Sequence, residues 1–210
     1  MIDIATQLTC VYREVSRQSD AGDQTAGVLL RRRYPTSVEE VWAAVTNPAR
    51  IGGWYAPVSG DLHVGGRFQL GDVASGEILR CERPHLLRLG WDPGGGTVQL
   101  RLAADDDGGT VLELTHTTPS ETTWSDTVPV QLGPGWDVSL LALDQLLRGE
   151  RAHGPVVWRQ SPDVQRFSQH VISAWASATE AAGTAAPAEI TRATTAALAL
   201  HAPDLTEQHS

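Results

Sequence analysis

The sequence predicts an α+β chain in which one dry face of an antiparallel sheet of about six or seven strands packs on a long helix, followed by a C-terminal helical extension. Three observations carry this expectation. Between Ile51 and His116, short segments alternate apolar and polar residues and are broken by glycine- and proline-rich turns, the pattern of a strand meander. Across residues 134–149, Trp136, Leu140, Leu143 and Leu147 recur at helical spacing and Gly149 supplies a stop. Beyond Ser161, the residues Val164, Phe167, Val171 and Trp175 form a second helical stripe.

Taken in order, residues 1–27 read as an N-terminal segment, with a short helix over 4–17 and a polar loop in QSDAGDQTAG. The gripping domain is expected over 28–149. Val28 to Tyr34 reads as a strand, and Ser37 with Glu40 three residues on forms a capping box for a helix that Asn47-Pro48 ends. Within the meander, alternation puts Leu79 and Cys81, then Leu87, Leu89 and Trp91, then Val98, Leu100 and Leu102, then Leu112 and Leu114 on one dry face. The same count places Glu77 and His116 on that face and makes Cys81 a buried, inert thiol. DPGGG at 92–96 and DDDGG at 105–109 read as hairpin turns, and residues 117–132 as a loop before the long helix. Residues 150–202 are expected to form the extension, with Pro162 opening one helix, Gly183 closing it and Pro187 opening another. Residues 203–210 read as a flexible end.

Composition removes several function classes. The net charge is −9 and all sixteen basic residues are arginine, so the molecule's field repels phosphate backbones and nucleic acid is not an expected partner. The run Arg31-Arg32-Arg33 lies in a strand, where alternate arginines face solvent. The first residues lack the basic start and apolar run of a signal peptide, and no segment approaches the ~20 apolar residues of a membrane span. Cys10 and Cys81 match no metal spacing and fit a reducing cytoplasm. The seven histidines contain no HExxH or His-x-His pattern, no G-x-S-x-G elbow occurs, and Gly94-Gly95-Gly96 opens no helix; no metal and no cofactor are expected.

The candidate site follows from the aromatic load and from polar residues at apolar positions. Seven tryptophans accompany two phenylalanines and three tyrosines, and Trp54, Trp91, Trp124 and Trp136 fall at loops or element ends around the mouth of the grip. Tryptophan gives a flat apolar wall with one N–H donor, which suits an aromatic ligand; packing alone is the competing explanation. Leu79, Leu89, Leu100, Leu114 and Leu140 would complete the wall. Glu77 and His116 are the candidate catalytic pair, a carboxylate orienting an imidazole whose free nitrogen faces the cavity, against the alternative of a structural hydrogen bond. Arg67 and Asp137 are further mouth positions, read more simply as a surface charge and a helix-start carboxylate.

The segments RRRYPTSVEEVWAAVTNPARIGGWYAPVSGDLHVGGRFQL at 31–70, GEILRCERPHLLRLGW at 76–91, VLELTH at 111–116 and GWDVSLLALDQLL at 135–147 together resemble the START-like (SRPBCC) superfamily. Within it they are most similar to actinobacterial homologues of the activator of heat-shock-protein-90 ATPase. The resemblance implies a helix-grip fold, the sheet curved around the long helix with a cavity between them, used across the superfamily for lipids, hormones, polyketides or aromatic compounds. It implies a partner that is a hydrophobic or aromatic small molecule, and leaves open whether that molecule is only bound. A cyclase-, dehydratase- or isomerase-type enzyme and a chaperone-associated interaction protein are the alternatives, since fold alone does not fix chemistry. The stripe after residue 161 leaves room for a homodimer through the C-terminal helices.

Overall fold

The computed structural model describes residues 2–20, 23–92, 96–119, 126–150 and 154–206. After a short helix α1 (Ile4–Thr9), capped by the Asp3 carboxylate accepting from the Thr6 N–H, the chain turns into a long hairpin of β1 (Val11–Asp20) and β2 (Asp23–Tyr34). The helix expected over 4–17 therefore ends early, and residues 18–20 and 23–27 of the expected polar loop are strand. The reason is visible at Arg13. It takes an inward strand position between Val11 and Val15, so the apolar alternation that would announce a strand is broken by a charge whose partner, Asp137, lies 124 residues away.

Ser37 caps α2 (Val38–Thr46), its hydroxyl accepting from the Glu40 N–H at 3.3 Å. Asn47 then caps a further helix, α3 (Pro48–Trp54), which the sequence reading had merged into the meander. The strands β3 (Val58–Gly60), β4 (Arg67–Leu70), β5 (Ala74–Glu82), β6 (Leu86–Asp92), β7 (Gly96–Ala104) and β8 (Thr110–Pro119) follow. All neighbours are antiparallel, and the eight-stranded sheet runs β1-β2-β8-β7-β6-β5-β4-β3, so β2 inserts the N-terminal hairpin beside β8. The strand count exceeds the expected six or seven because β1 and β3 form the two edges.

The long helix α4 (Val128–Leu147) starts well before Pro134, which lies inside it. One side, with Leu140 and Leu143, packs on the sheet; the other, with Val138 and Leu141, packs on the extension. That extension comprises α5 (Pro155–Arg159), α6 (Pro162–Ala181), α7 (Pro187–His201) and α8 (Pro203–Thr206), the last taking part of the span expected to fray. Val164, Phe167, Val171 and Trp175 of α6 are all essentially inaccessible. The stripe is thus packed inside the chain, making a third layer over α4. No helix among the described residues is long and apolar enough to cross a membrane.

Two buried ion pairs fasten these layers. Arg13 of β1 grips Asp137 of α4 through Nε and Nη2, the latter at 2.6 Å, and the Trp175 Nε1–H of α6 donates to the same carboxylate at 2.8 Å. Asp137 is thus no helix-start carboxylate but a buried clamp; burial lifts its pKa above the ordinary range while Arg13 pulls the other way. Arg32, the inward member of the arginine run, lies 3.0 Å from the Asp144 carboxylate, while Arg31 pairs outside with Glu113. Between the two layers, a Cβ on Gly133 would sit 2.3 Å from the Trp175 ring, which is fully buried and tied to Asp137. Gly133→Ala is accordingly expected to lower the unfolding free energy by about 1–3 kcal/mol, seen as a lower urea midpoint at unchanged slope. An unaltered midpoint would mean that the α4–α6 seam yields.

Candidate functional site

A cavity of about 450 Å³ opens between the inner face of the sheet, α4 and α3. The strands supply Leu89, Leu100 and Leu114 as its floor, because successive strand residues alternate faces. Helix α3 contributes Trp54 and Tyr55, and α4 contributes Trp136 and Leu140, one turn apart on the same side. Trp54 faces the cavity with its ring because its Nε1–H is already spent on the Ala44 carbonyl at 3.1 Å. At the mouth, the loop between β3 and β4 leaves Leu62 and Val64 exposed, at 45% and 55% of their surface.

An aromatic cluster closes one side. Trp91 stands 5.6 Å from Trp136 and 6.0 Å from Phe68, all in tilted contact. Behind them lies His116, edge-on to Trp136 at 5.8 Å between ring centres. The Trp136 Nε1–H donates to His116 Nδ1 at 3.0 Å, which makes Nδ1 the acceptor and places the imidazole proton on Nε2. Burial pushes the His116 pKa down to about 4, so the ring is uncharged at neutral pH and its lone pair is engaged by Trp136. It has neither a charge to donate from nor a free base nitrogen at Nδ1.

Glu77 does not join it. The ladder between β5 and β6 shifts register between Ile78 and Arg80, leaving Leu79 as the extra residue of a bulge. Before the bulge Ala74, Gly76 and Ile78 point inward; after it Cys81 does, paired with Leu87. Counting straight through inverts the earlier half, so Glu77 and Leu79 are exposed on the outer face and the expected catalytic pair is not assembled. Cys81 is likewise exposed, at the cavity rim. Arg67 is the surface charge expected of it, 3.0 Å from Asp92, whereas Trp124 lies outside the described residues. Among the described residues no group of three or more His, Cys, Asp and Glu side chains is arranged to hold a metal.

A family model described as "Activator of Hsp90 ATPase homolog 1-like protein" matches residues 35–148. The chain belongs to this family. Among solved structures, this Hsp90-activator-like chain is similar to CalU16 from Micromonospora echinospora, in line with the actinobacterial resemblance. The CalU16 solution structure is 37% identical, with 81% of this chain and 96% of that one covered and a TM-score of 0.69. DynU16, described as a protein in the dynemicin biosynthetic locus, is 26% identical at a TM-score of 0.51, covering 63% of this chain and 50% of its own. PFC0360w, an HSP90 activator from Plasmodium falciparum, shares the fold at 22% identity and a TM-score of 0.50, covering 59% of this chain and 97% of that one. No curated protein matches the chain significantly.

In this family member the cavity also uses residues the sequence reading passed over. Phe68 and Leu70 alternate cleanly in β4 and could have been found by period alone. Tyr55 and Ser139 carry no such signal: one ends a short glycine-containing helix, and the other is a polar residue whose inward direction only the packing of α4 decides.

Proposed function

We propose that this chain binds a hydrophobic or aromatic small molecule in the cavity between the sheet and α4. The observation that carries the reading is the cavity's wall. About 450 Å³ is lined mostly by aliphatic and aromatic side chains, within the range of small-molecule sites, and the mouth is rimmed by exposed Leu62 and Val64. A void of this size with so few polar groups does not retain ordered water well, so an apolar guest gains both dispersion contacts and desolvation. The likeness to DynU16, a protein of a biosynthetic locus, supports small-molecule metabolism as the setting. That same likeness favours, as a second reading, a cyclase-, dehydratase- or isomerase-type reaction in this cavity; its proton-transfer groups would not be a Glu77–His116 pair.

The test is a panel of aromatic compounds and lipids scored by thermal shift and by native mass spectrometry. A ligand at about a hundred times its Kd is expected to add about 2.7 kcal/mol, which for a chain of this length raises the melting midpoint by several degrees, with one molecule per chain. Leu100→Trp, which fills the floor of the cavity, is expected to abolish the shift. Absence of any shift and of any co-purifying molecule in the unaltered protein would sink the reading.

A further inference from the structure

The C-terminal extension brings a cation behind the cavity wall. Arg159, the last residue of α5, places its guanidinium carbon 5.0 Å from the centre of the Tyr55 ring, and its Nη2 donates to Ser139 Oγ at 3.3 Å. Both Tyr55 and Ser139 line the cavity, so the guanidinium stands directly behind its surface. Among the described residues Arg159 is the only arginine that is neither exposed nor in ion-pair contact with a carboxylate. The two more deeply buried arginines, Arg13 and Arg32, each have one. The remaining N–H groups of Arg159 are aimed by the same fixed plane that meets Ser139.

A buried group without a partner lies at the same turn of α4. Ser139 Oγ donates to the Gly135 carbonyl at 2.7 Å, and the His201 ring of α7 abuts Gly135, with its Nε2 buried and without a hydrogen-bond partner. Burial, and after it the nearby Arg159 charge, holds the His201 pKa below its ordinary value, and burial likewise disfavours the charged form of Arg159. A cation taken partly out of water without a counter-charge is unfavourable unless an anion meets it. Among the described residues the chain offers none there, whereas the cavity adjoins it.

We propose that the molecule bound in the cavity carries an ionised oxygen group, a carboxylate, sulfonate or phenolate, and that the Tyr55 hydroxyl at the wall receives it with the Arg159 charge standing behind. This rests on the cavity being a ligand site and names the class of ligand it takes: an apolar, ring-sized body with one acidic end. Arg159 and His201 both lie outside residues 35–148, so the preference belongs to the extension and not to the gripping domain that the family model describes.

The experiment uses two probes with one skeleton, anilinonaphthalenesulfonate and the uncharged phenylnaphthylamine, titrated by calorimetry into the full-length protein. One-to-one binding with at least about tenfold preference for the sulfonate is expected, as is usual for one charge-assisted contact out of bulk water. Arg159→Met should erase the preference while leaving affinity for phenylnaphthylamine unchanged, and Arg159→Lys should keep most of it. Leu100→Trp should abolish binding of both. Equal affinities for the two probes, or a preference that survives Arg159→Met, would overturn the acidic-ligand inference while the cavity reading stands. If neither probe binds one-to-one, or if Leu100→Trp leaves binding intact, the probes do not use the cavity and the inference falls with it.

Discussion

Asp137→Ala is expected to lower the unfolding free energy by about 3–5 kcal/mol, because it leaves the Arg13 guanidinium buried without its counter-charge and strips the Trp175 N–H of its acceptor. Against a total stability of about 5–15 kcal/mol for a domain, that brings the chain close to unfolding at ordinary temperature. The mechanism makes a second, sharper demand. Asp137 joins β1, α4 and α6, so the loss comes mainly from an orphaned cation and not from missing attraction; Arg13→Met combined with Asp137→Leu should therefore recover much of it. Urea unfolding of the single and double variants decides this. A double variant no more stable than Asp137→Ala would show that the carboxylate matters for some reason other than neutralising Arg13.

His116 gives the second large effect, and it is a matter of pH. The folded-state pKa is about 4 against an ordinary 6.5, so between those values the unfolded chain binds a proton that the folded chain excludes. The contribution is fully present above about pH 6.5 and is lost as pH falls toward 4, amounting to about 3 kcal/mol at the acid end. His116→Asn keeps an acceptor for the Trp136 N–H but does not titrate. Its stability should fall less steeply with acid by about one proton over this window, which unfolding curves at neutral and mildly acidic pH will show. Parallel pH profiles for the two proteins would mean that His116 is hydrated and titrates normally.

Much of the cavity wall is legible in the sequence. Period-2 alternation orients Leu89, Leu100 and Leu114 inward, and helical spacing sets Trp136 and Leu140 together, because in regular elements direction follows from position number alone. The same arithmetic fails at Glu77. A single extra residue at Leu79 changes the parity of the strand, and nothing in GEILRCE distinguishes a bulged strand from a straight one, since both sides of the bulge are plausible strand sequence. The N-terminal hairpin was hidden for a related reason: Arg13 at an inward position looks like a surface residue until Asp137 is known to await it.

What the sequence determined by itself is the local part: the α+β class, the capping of α2 at Ser37, the meander, the two amphipathic helices and the family. Tertiary structure alone decided whatever depends on partners distant along the chain. It turned the Val164–Trp175 stripe into an internal layer, made Asp137 a clamp, separated Glu77 from His116, and carried Arg159 from the extension to the wall beside Tyr55. The division has one physical cause. Propensity and periodicity are set by a residue's immediate neighbours, whereas burying a charge or choosing a helix's partner is settled by long-range packing, where the stabilising group can stand more than a hundred positions away.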